Sequence, residues 1–196
     1  DVDIVTGDVT GVGVGTATIT YTLPTGCIAT TIVTIEPLPA AIVPTTTFAI
    51  CVGQTTTLTD ATPLGTWTSS DVAVATIGLG TGIVTGVSAG TSVITYTITS
   101  TGCIAIATVT VNPLTPITGT LRVCVGDVST LSNATGGGEW SSSNVFVAAI
   151  GSTSGDFTGV NAGTATISYI LPTGCYASVT LTVNATPSAI TGTSVY

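Results

Sequence analysis

Residues 51–59 read CVGQTTTLT and residues 124–132 read CVGDVSTLS, while Trp67-Thr68-Ser69-Ser70 returns as Trp140-Ser141-Ser142-Ser143. Both steps are 73 residues. A second stretch occurs three times: GDVTGVGVGTATITYTLPTGC ends at Cys27, GIVTGVSAGTSVITYTITSTGC at Cys103, and GDFTGVNAGTATISYILPTGC at Cys175. A chain that repeats at a fixed period is built from copies of one supersecondary unit, here about 72–76 residues long. The period predicts the back half of a repeat at 1–35, whole repeats at 36–111 and 112–183, and the leading segment of another at 184–196. On this reading the sequence is a window cut from a longer array, and the opening at Asp1 is expected to reflect processing or truncation.

The pattern inside each unit selects the class of fold. In TATISYIL (164–171), Ala165, Ile167 and Tyr169 fall on one side of an extended chain and Thr166 and Ser168 on the other. SVTLTV (178–183) alternates in the same way after Pro172-Thr173-Gly174, which predicts an antiparallel hairpin. Short alternating segments divided by Gly, Pro, Asp and Ser, with no helical period, predict an all-β sandwich of about seven strands per unit. Trp67 and Trp140 are the expected core anchors.

Composition then removes several functions. Only 5% of residues are charged, against roughly a quarter in an average soluble domain, and the net charge is -8. The one basic residue is Arg122, so a phosphate backbone or an anionic membrane surface has almost nothing to hold, and nucleic acid is excluded as a partner. Threonine fills 45 positions. It is β-branched, suits a pleated strand and offers a hydroxyl to water, so it takes over the solvent-facing role that charge normally has. Thr, Gly and Ser interrupt every apolar stretch before the roughly 18–20 residues a membrane helix needs, so no membrane insertion is expected.

Taken together, a leading strand, a Val-Gly turn, a Trp-Ser-Ser strand, the GxxTGVxAGTaTIsY string and a closing VTV strand resemble the bacterial immunoglobulin-like domain, group 2. The resemblance covers the whole chain. It is nearest to the cysteine-bearing form found many times over in large surface proteins of the Bacteroidota, with its PTGC turn and VTVNP linker. The linkers here read Val111-Asn112-Pro113 and Val183-Asn184-Ala185, the second departing at Ala185. The resemblance implies extracellular, repetitive, non-catalytic modules and implies no particular ligand.

Five cysteines are an odd number for a chain of this kind. The repeat predicts that Cys51 pairs with Cys103 and Cys124 with Cys175, each bond stapling one unit from the end of its first strand to the start of its last. Cys27 is then left with a partner outside the chain. Bonds closing loops of about 50 residues would stabilise each unit by roughly 3–4 kcal/mol and would place the protein in an oxidising compartment. Buried free thiols are the alternative. Zinc fits poorly, because structural sites use four N/S ligands and the chain has no histidine and at most two cysteines per unit.

Other motifs weaken on inspection. Gly86-Val87-Ser88-Ala89-Gly90 matches the nucleophile elbow GxSxG, yet the aligned positions hold Gly13 and Asn161, and without histidine no Ser-His-acid arrangement can form. No enzyme is expected. Asp1, Asp3 and Asp8 lie close enough to raise calcium, against a bland role in turns; otherwise no cofactor is expected. Glu36, Asp60, Asp71, Asp127, Glu139 and Asp156 are scattered singly, which does not suit a paired-carboxylate glycosidase site. Asn133-Ala134-Thr135 and Asn184-Ala185-Thr186 are glycosylation sequons.

The chain contains no lysine, the residue that most often keeps exposed strand edges apart. The expected role is therefore an extracellular structural protein whose repeats self-associate into a filament, sheath or surface array. A spacer stalk of a cell-surface adhesin is the alternative, and carbohydrate-binding repeats of a secreted enzyme, with surface glycans as partners, the second.

Overall fold

In the computed structural model, described over residues 1–44, 47–189 and 192, every helix or strand is a strand. In chain order they are β1 (Gly15–Thr22), β2 (Ile28–Ile35), β3 (Thr47–Cys51), β4 (Thr55–Thr57), β5 (Gly65–Ser69), β6 (Ala75–Ile77), β7 (Ile83–Gly86), β8 (Gly90–Ile98) and β9 (Ile104–Asn112). There follow β10 (Ile117–Gly119), β11 (Arg122–Cys124), β12 (Val128–Asn133), β13 (Glu139–Ser142), β14 (Ala148–Ile150), β15 (Asp156–Gly159), β16 (Gly163–Ile170) and β17 (Tyr176–Asn184).

The chain divides into two compact units. One comprises Asp1–Phe48, Thr55–Val87 and Thr91–Thr110; the other comprises Ala49–Gln54, Ser88–Gly90 and Val111–Tyr196. The second unit does not begin at a sequence repeat alone, because it takes in the short segment that ends β3.

In the second unit, β10, β12, β15 and β14 form one sheet and β11, β17, β16 and β13 another. The alternation anticipated for the hairpin is present: β16 pairs antiparallel with β17, with Ile167 opposite Val179 and Ala165 opposite Leu181. Ala165, Ile167 and Tyr169 are buried and meet Ile117, Leu131, Trp140, Phe157, Leu181 and Val183 from both sheets in a single core. The first strand is split. Gly119, at φ 130°, lets the chain leave the first sheet after β10 and join the second as β11, where it lies parallel to β17. Two sheets holding four strands each, with the opening strand shared between them, is an immunoglobulin-like sandwich.

In the first unit, β4, β7 and β6 form one sheet, and β8 lies between β5 and β9 in another; the fourth strand of that sheet is β3, whose residues from Ala49 onward are counted with the second unit. Its core uses the same positions: Leu58, Trp67, Ala75, Val84, Ile94 and Tyr96 are buried where the second unit buries Leu131, Trp140, Ala148, Phe157, Ile167 and Tyr169. At the place of β10, the described residues show an isolated bridge between Val43 and Thr59. The strands β1 and β2 form a separate two-stranded sheet.

Both tryptophans take the anchoring role expected of them. Trp67 stacks on Tyr96 and Trp140 on Tyr169, with ring centroids 4.7 Å apart and planes tilted by 50° in each pair. Each tyrosine hydroxyl accepts a backbone N–H, from Gly65 at 2.9 Å and from Gly138 at 2.8 Å. A side chain at either glycine would collide with the tyrosine ring, so glycine is required by the close approach.

Candidate functional site: the cysteine turns

The cysteines occupy two kinds of turn, and the repeat places each kind at a fixed point of the sandwich. Cys51 ends β3 and Cys124 ends β11. Each opens a turn with glycine at its third position, Gly53 at φ 81° and Gly126 at φ 93°, a conformation that side chains disfavour. The N–H of Gln54 donates to the Cys51 carbonyl at 3.0 Å, and that of Asp127 to the Cys124 carbonyl at 3.1 Å. The Asp127 carboxylate also accepts the Cys124 N–H at 2.9 Å.

Cys27, Cys103 and Cys175 sit instead at the far side of hairpin turns, between β1 and β2, β8 and β9, and β16 and β17. Leu23, Ile98 and Leu171 each donate a backbone N–H to the carbonyl of the following cysteine, at 2.8, 2.9 and 2.8 Å. Glycine precedes the cysteine in all three, with φ 85°, 74° and 85°.

The bonding of these cysteines differs from the expectation. Cys51 is joined to Cys175, with 5.7 Å between their Cα atoms and 124 residues between them in sequence. Cys51–Cys103 and Cys124–Cys175 are not formed, and Cys27, Cys103 and Cys124 are free. Strand direction explains the correction. β11 runs parallel to β17, which sets Cys124 opposite Asn184, nine residues along the strand from Cys175. At about 3.3 Å per residue that is about 30 Å, several times the Cα separation a disulfide spans. The same register holds for Cys51, because the Val52 N–H donates to the Asn112 carbonyl at 3.1 Å, as Val125 does to Asn184 at 2.9 Å. Cys103 lies nine residues before Asn112. A first-strand cysteine and the hairpin cysteine of its own repeat therefore stand at opposite ends of the sandwich. The bond that does form joins a cysteine of the first whole repeat to one of the next, and both lie in the second compact unit, which includes Ala49–Gln54.

Ser88 is exposed in the turn between β7 and β8. At the equivalent position the Asn161 side chain donates to the Phe146 carbonyl at 2.7 Å, a loop-tying contact. The Asp1, Asp3 and Asp8 carboxylates are engaged by their own turn. Asp3 accepts the N–H groups of Val5 at 2.8 Å and Thr6 at 2.9 Å, and these bonds hold its carboxyl below the ordinary range, the bond from Thr6 counting most. Asp8 accepts the Thr6 hydroxyl at 2.8 Å, and Asp1 the Val2 N–H at 2.9 Å. Among the described residues no three His, Cys, Asp or Glu side chains are grouped as metal ligands.

Of the two sequon asparagines, Asn133 has both amide atoms engaged: its oxygen accepts from the Thr115 hydroxyl and the Thr135 N–H, and its nitrogen donates to the Thr115 carbonyl. Asn184, the last residue of β17, directs its side-chain nitrogen to the Val123 carbonyl at 3.4 Å. Trp67 and Trp140 are packed in the cores and offer no open ring face for a sugar.

The outer strands of the sandwiches are short. β13 and β14 have four and three residues, β5 and β6 five and three. Short edges limit strand addition without lysine. Sequence reasoning missed this device, since alternation locates strands and leaves their order in the sheet open. The hairpin of β1 and β2 is the exception, with eight residues in each strand and nearly every residue exposed.

No protein-family model matches the chain, and no curated protein does. Solved structures with related architecture include a C-terminal 282-residue fragment of intimin, in complex with the intimin-binding domain of the translocated intimin receptor, at 16% identity and a TM-score of 0.44. That likeness covers 86% of this chain and 57% of the intimin fragment. The S-layer protein rSbsC(31-844) is similar at 16% identity and a TM-score of 0.33, over 97% of this chain and 38% of its own. Drosophila N-cadherin EC1-4 is similar at 12% identity and a TM-score of 0.37, over 78% and 50%. This chain thus spans little more than half, or less, of each of these proteins.

Proposed function

We propose that the chain is part of an extracellular, non-enzymatic structural protein whose immunoglobulin-like repeats self-associate into a filament, sheath or surface array. The observation that carries this reading is the Cys51–Cys175 bond, which ties one sequence repeat to the next. A bond inside a repeat would stabilise that repeat alone. A bond between repeats makes the backbone of an array continuous, so that tension along the array passes through covalent links as well as linkers. Disulfides of this kind persist in oxidising compartments, which supports an extracellular location. Among the described residues no helix is long and apolar enough to cross a membrane. The resemblance to group 2 bacterial immunoglobulin-like repeats supports the same reading. The surface supports self-association in particular: only 5% of residues are charged and none is lysine, so few charges guard the exposed faces against a second copy.

Negative-stain microscopy of the purified chain over a rising concentration series tests it. Ordered filaments, sheets or arrays are the expected result. Dispersed single particles at the highest concentration would overturn self-association and leave the spacer stalk of an adhesin as the role.

A further inference from the structure

The formed bond shows how the two kinds of cysteine turn combine: the first-strand cysteine of one repeat takes the hairpin cysteine of the next. Cys124 is the 73-residue equivalent of Cys51, with the same turn, the same closing hydrogen bond and the same contact of the following residue with the last residue of the closing strand. Cys27 is the equivalent of Cys175, in the same Leu-Pro-Thr-Gly-Cys turn with the same pair of backbone bonds. Cys51 and Cys175 are bonded, whereas Cys124 is free and half-buried and Cys27 free and exposed. The chain therefore carries one unfilled first-strand half, Cys124, and two unfilled hairpin halves, of which Cys27 is exposed and shares the Leu-Pro-Thr-Gly-Cys turn of the bonded Cys175, while Cys103 is half-buried and follows Thr-Ser-Thr-Gly.

We propose that Cys124 of one copy bonds Cys27 of a second copy of this chain, so that copies link covalently head to tail by the same connection that joins the repeats within the chain. Because the two cysteines joined occupy different positions of the chain, the contact is heterologous and does not close on itself, and it extends into a linear polymer.

The chemistry needs an oxidant, here a low-molecular-weight disulfide such as oxidised glutathione. The Cys124 thiolate attacks it, forming a mixed disulfide and releasing one small thiol. The Cys27 thiolate of the second copy then attacks the Cys124 sulfur, forming the interchain bond and releasing the second small thiol. Two protein thiols lose two electrons and two protons in all, and one small disulfide gains them as two thiols.

This link adds a covalent step to the self-association proposed above and can fail independently of it. The test uses the full chain and two variants, Cys27→Ser and Cys124→Ser, each incubated in a glutathione redox buffer and run on a non-reducing gel. The unsubstituted chain should give a ladder of multimers that collapses on reduction. Each variant alone should stay monomeric, and an equimolar mixture of the two should stop at a dimer containing one of each, with a Cys124–Cys27 peptide in the mass spectrum. A dimer from either variant alone would show pairing of identical cysteines or through Cys103, and a ladder from Cys27→Ser would show that Cys103 takes the place of Cys27; either overturns the assignment. Intact Cys51–Cys175 peptides in both variants confirm that the substitutions left the fold alone. Microscopy of the Cys27→Ser/Cys103→Ser/Cys124→Ser variant separates the two proposals: arrays without interchain bonds leave non-covalent assembly standing and remove only the link.

Discussion

The hairpins β1–β2 and β16–β17 are two copies of the same design in different surroundings. Their registers match residue for residue: Ile19 faces Thr31 as Ile167 faces Val179, and Tyr21 faces Ala29 as Tyr169 faces Ala177. Their turns carry the same hydrogen bonds. Yet Tyr21 is 68% exposed and Tyr169 is 5% exposed, because the strands that cover β16 and β17 have no counterpart over β1 and β2. The local sequence is thus sufficient to write the hairpin, its turn and its pairing, while burial of its apolar face depends on the strands β10 to β15 that precede it.

Loss of the disulfide should separate the two hairpins most strongly. Cys175 closes the turn of the covered hairpin and is bonded; Cys27 closes the bare one and is free. A bond closing a loop of 124 residues contributes up to about 5 kcal/mol in the chain-entropy model. Reduction should therefore lower the urea midpoint of the second unit by an amount equivalent to several kcal/mol, while alkylating Cys27 in the oxidised protein should leave it in place. An unchanged midpoint on reduction would mean that the bond is not made, and peptide mapping that found Cys51 with Cys103 would restore pairing inside the repeat.

Core truncation comes next. Leu181 and Val33 occupy equivalent places in β17 and β2, the first fully buried and the second half-buried. Leu181→Ala should cost about 3 kcal/mol through lost burial and the cavity left behind. Val33→Ala should fall within about 0.5 kcal/mol, as at a surface site. Equal effects on chemical denaturation would show that the β1–β2 hairpin is covered in solution, as it would be in an assembly.

How far the sequence speaks follows from the same pair. Period-2 alternation and the Pro-Thr-Gly turn disclose the strands and hairpins, and the conserved spacing between Trp67 and Trp140 within this chain marks the core. Alternation is silent on whether a neighbouring strand is parallel or antiparallel, and the cysteine pairing depended on that. The spacings of 51 and 52 residues between Cys124 and Cys175 and between Cys51 and Cys103 suit a staple within a repeat until β11 is seen to run parallel to β17. Ser92 was equally illegible. It replaces Ala165 in the repeat and is buried, and its hydroxyl is held by the Ser69 and Ser70 hydroxyls and the Asp71 N–H, partners that only the folded loop brings together.

A smaller contrast lies in the turn glycines. Gly26 and Gly174 both have φ 85° with open space where a side chain would go, so alanine at either pays only for the backbone conformation, about 1 kcal/mol. Gly174→Ala should register that cost in global unfolding. Gly26→Ala should not, because the hairpin it serves is not part of a buried core, and the effect should appear only as faster amide exchange at Leu23 and Cys27. A shared loss of global stability would again indicate that β1–β2 is packed.

The smallest effect concerns a carboxylate at the entrance to the covered hairpin. Asp156 begins β15 and lies directly opposite Thr130 of β12, whose hydroxyl donates to it at 2.6 Å. That bond, with a lesser one from Ser154, favours the ionised form and holds the Asp156 pKa below the usual 3.8. A depressed folded-state pKa contributes stability that is present above the unfolded value and is lost as the pH falls through the folded one, so the contribution disappears only below about pH 4. The group is exposed, and water screens most of the benefit. Thr130→Val removes the donor, and NMR titration of the carboxyl carbon should show the Asp156 midpoint moving up toward its ordinary value. Because the donor comes from β12, a strand with no counterpart over β1–β2, an unmoved midpoint would show that the covering strands do not tune this carboxylate at all.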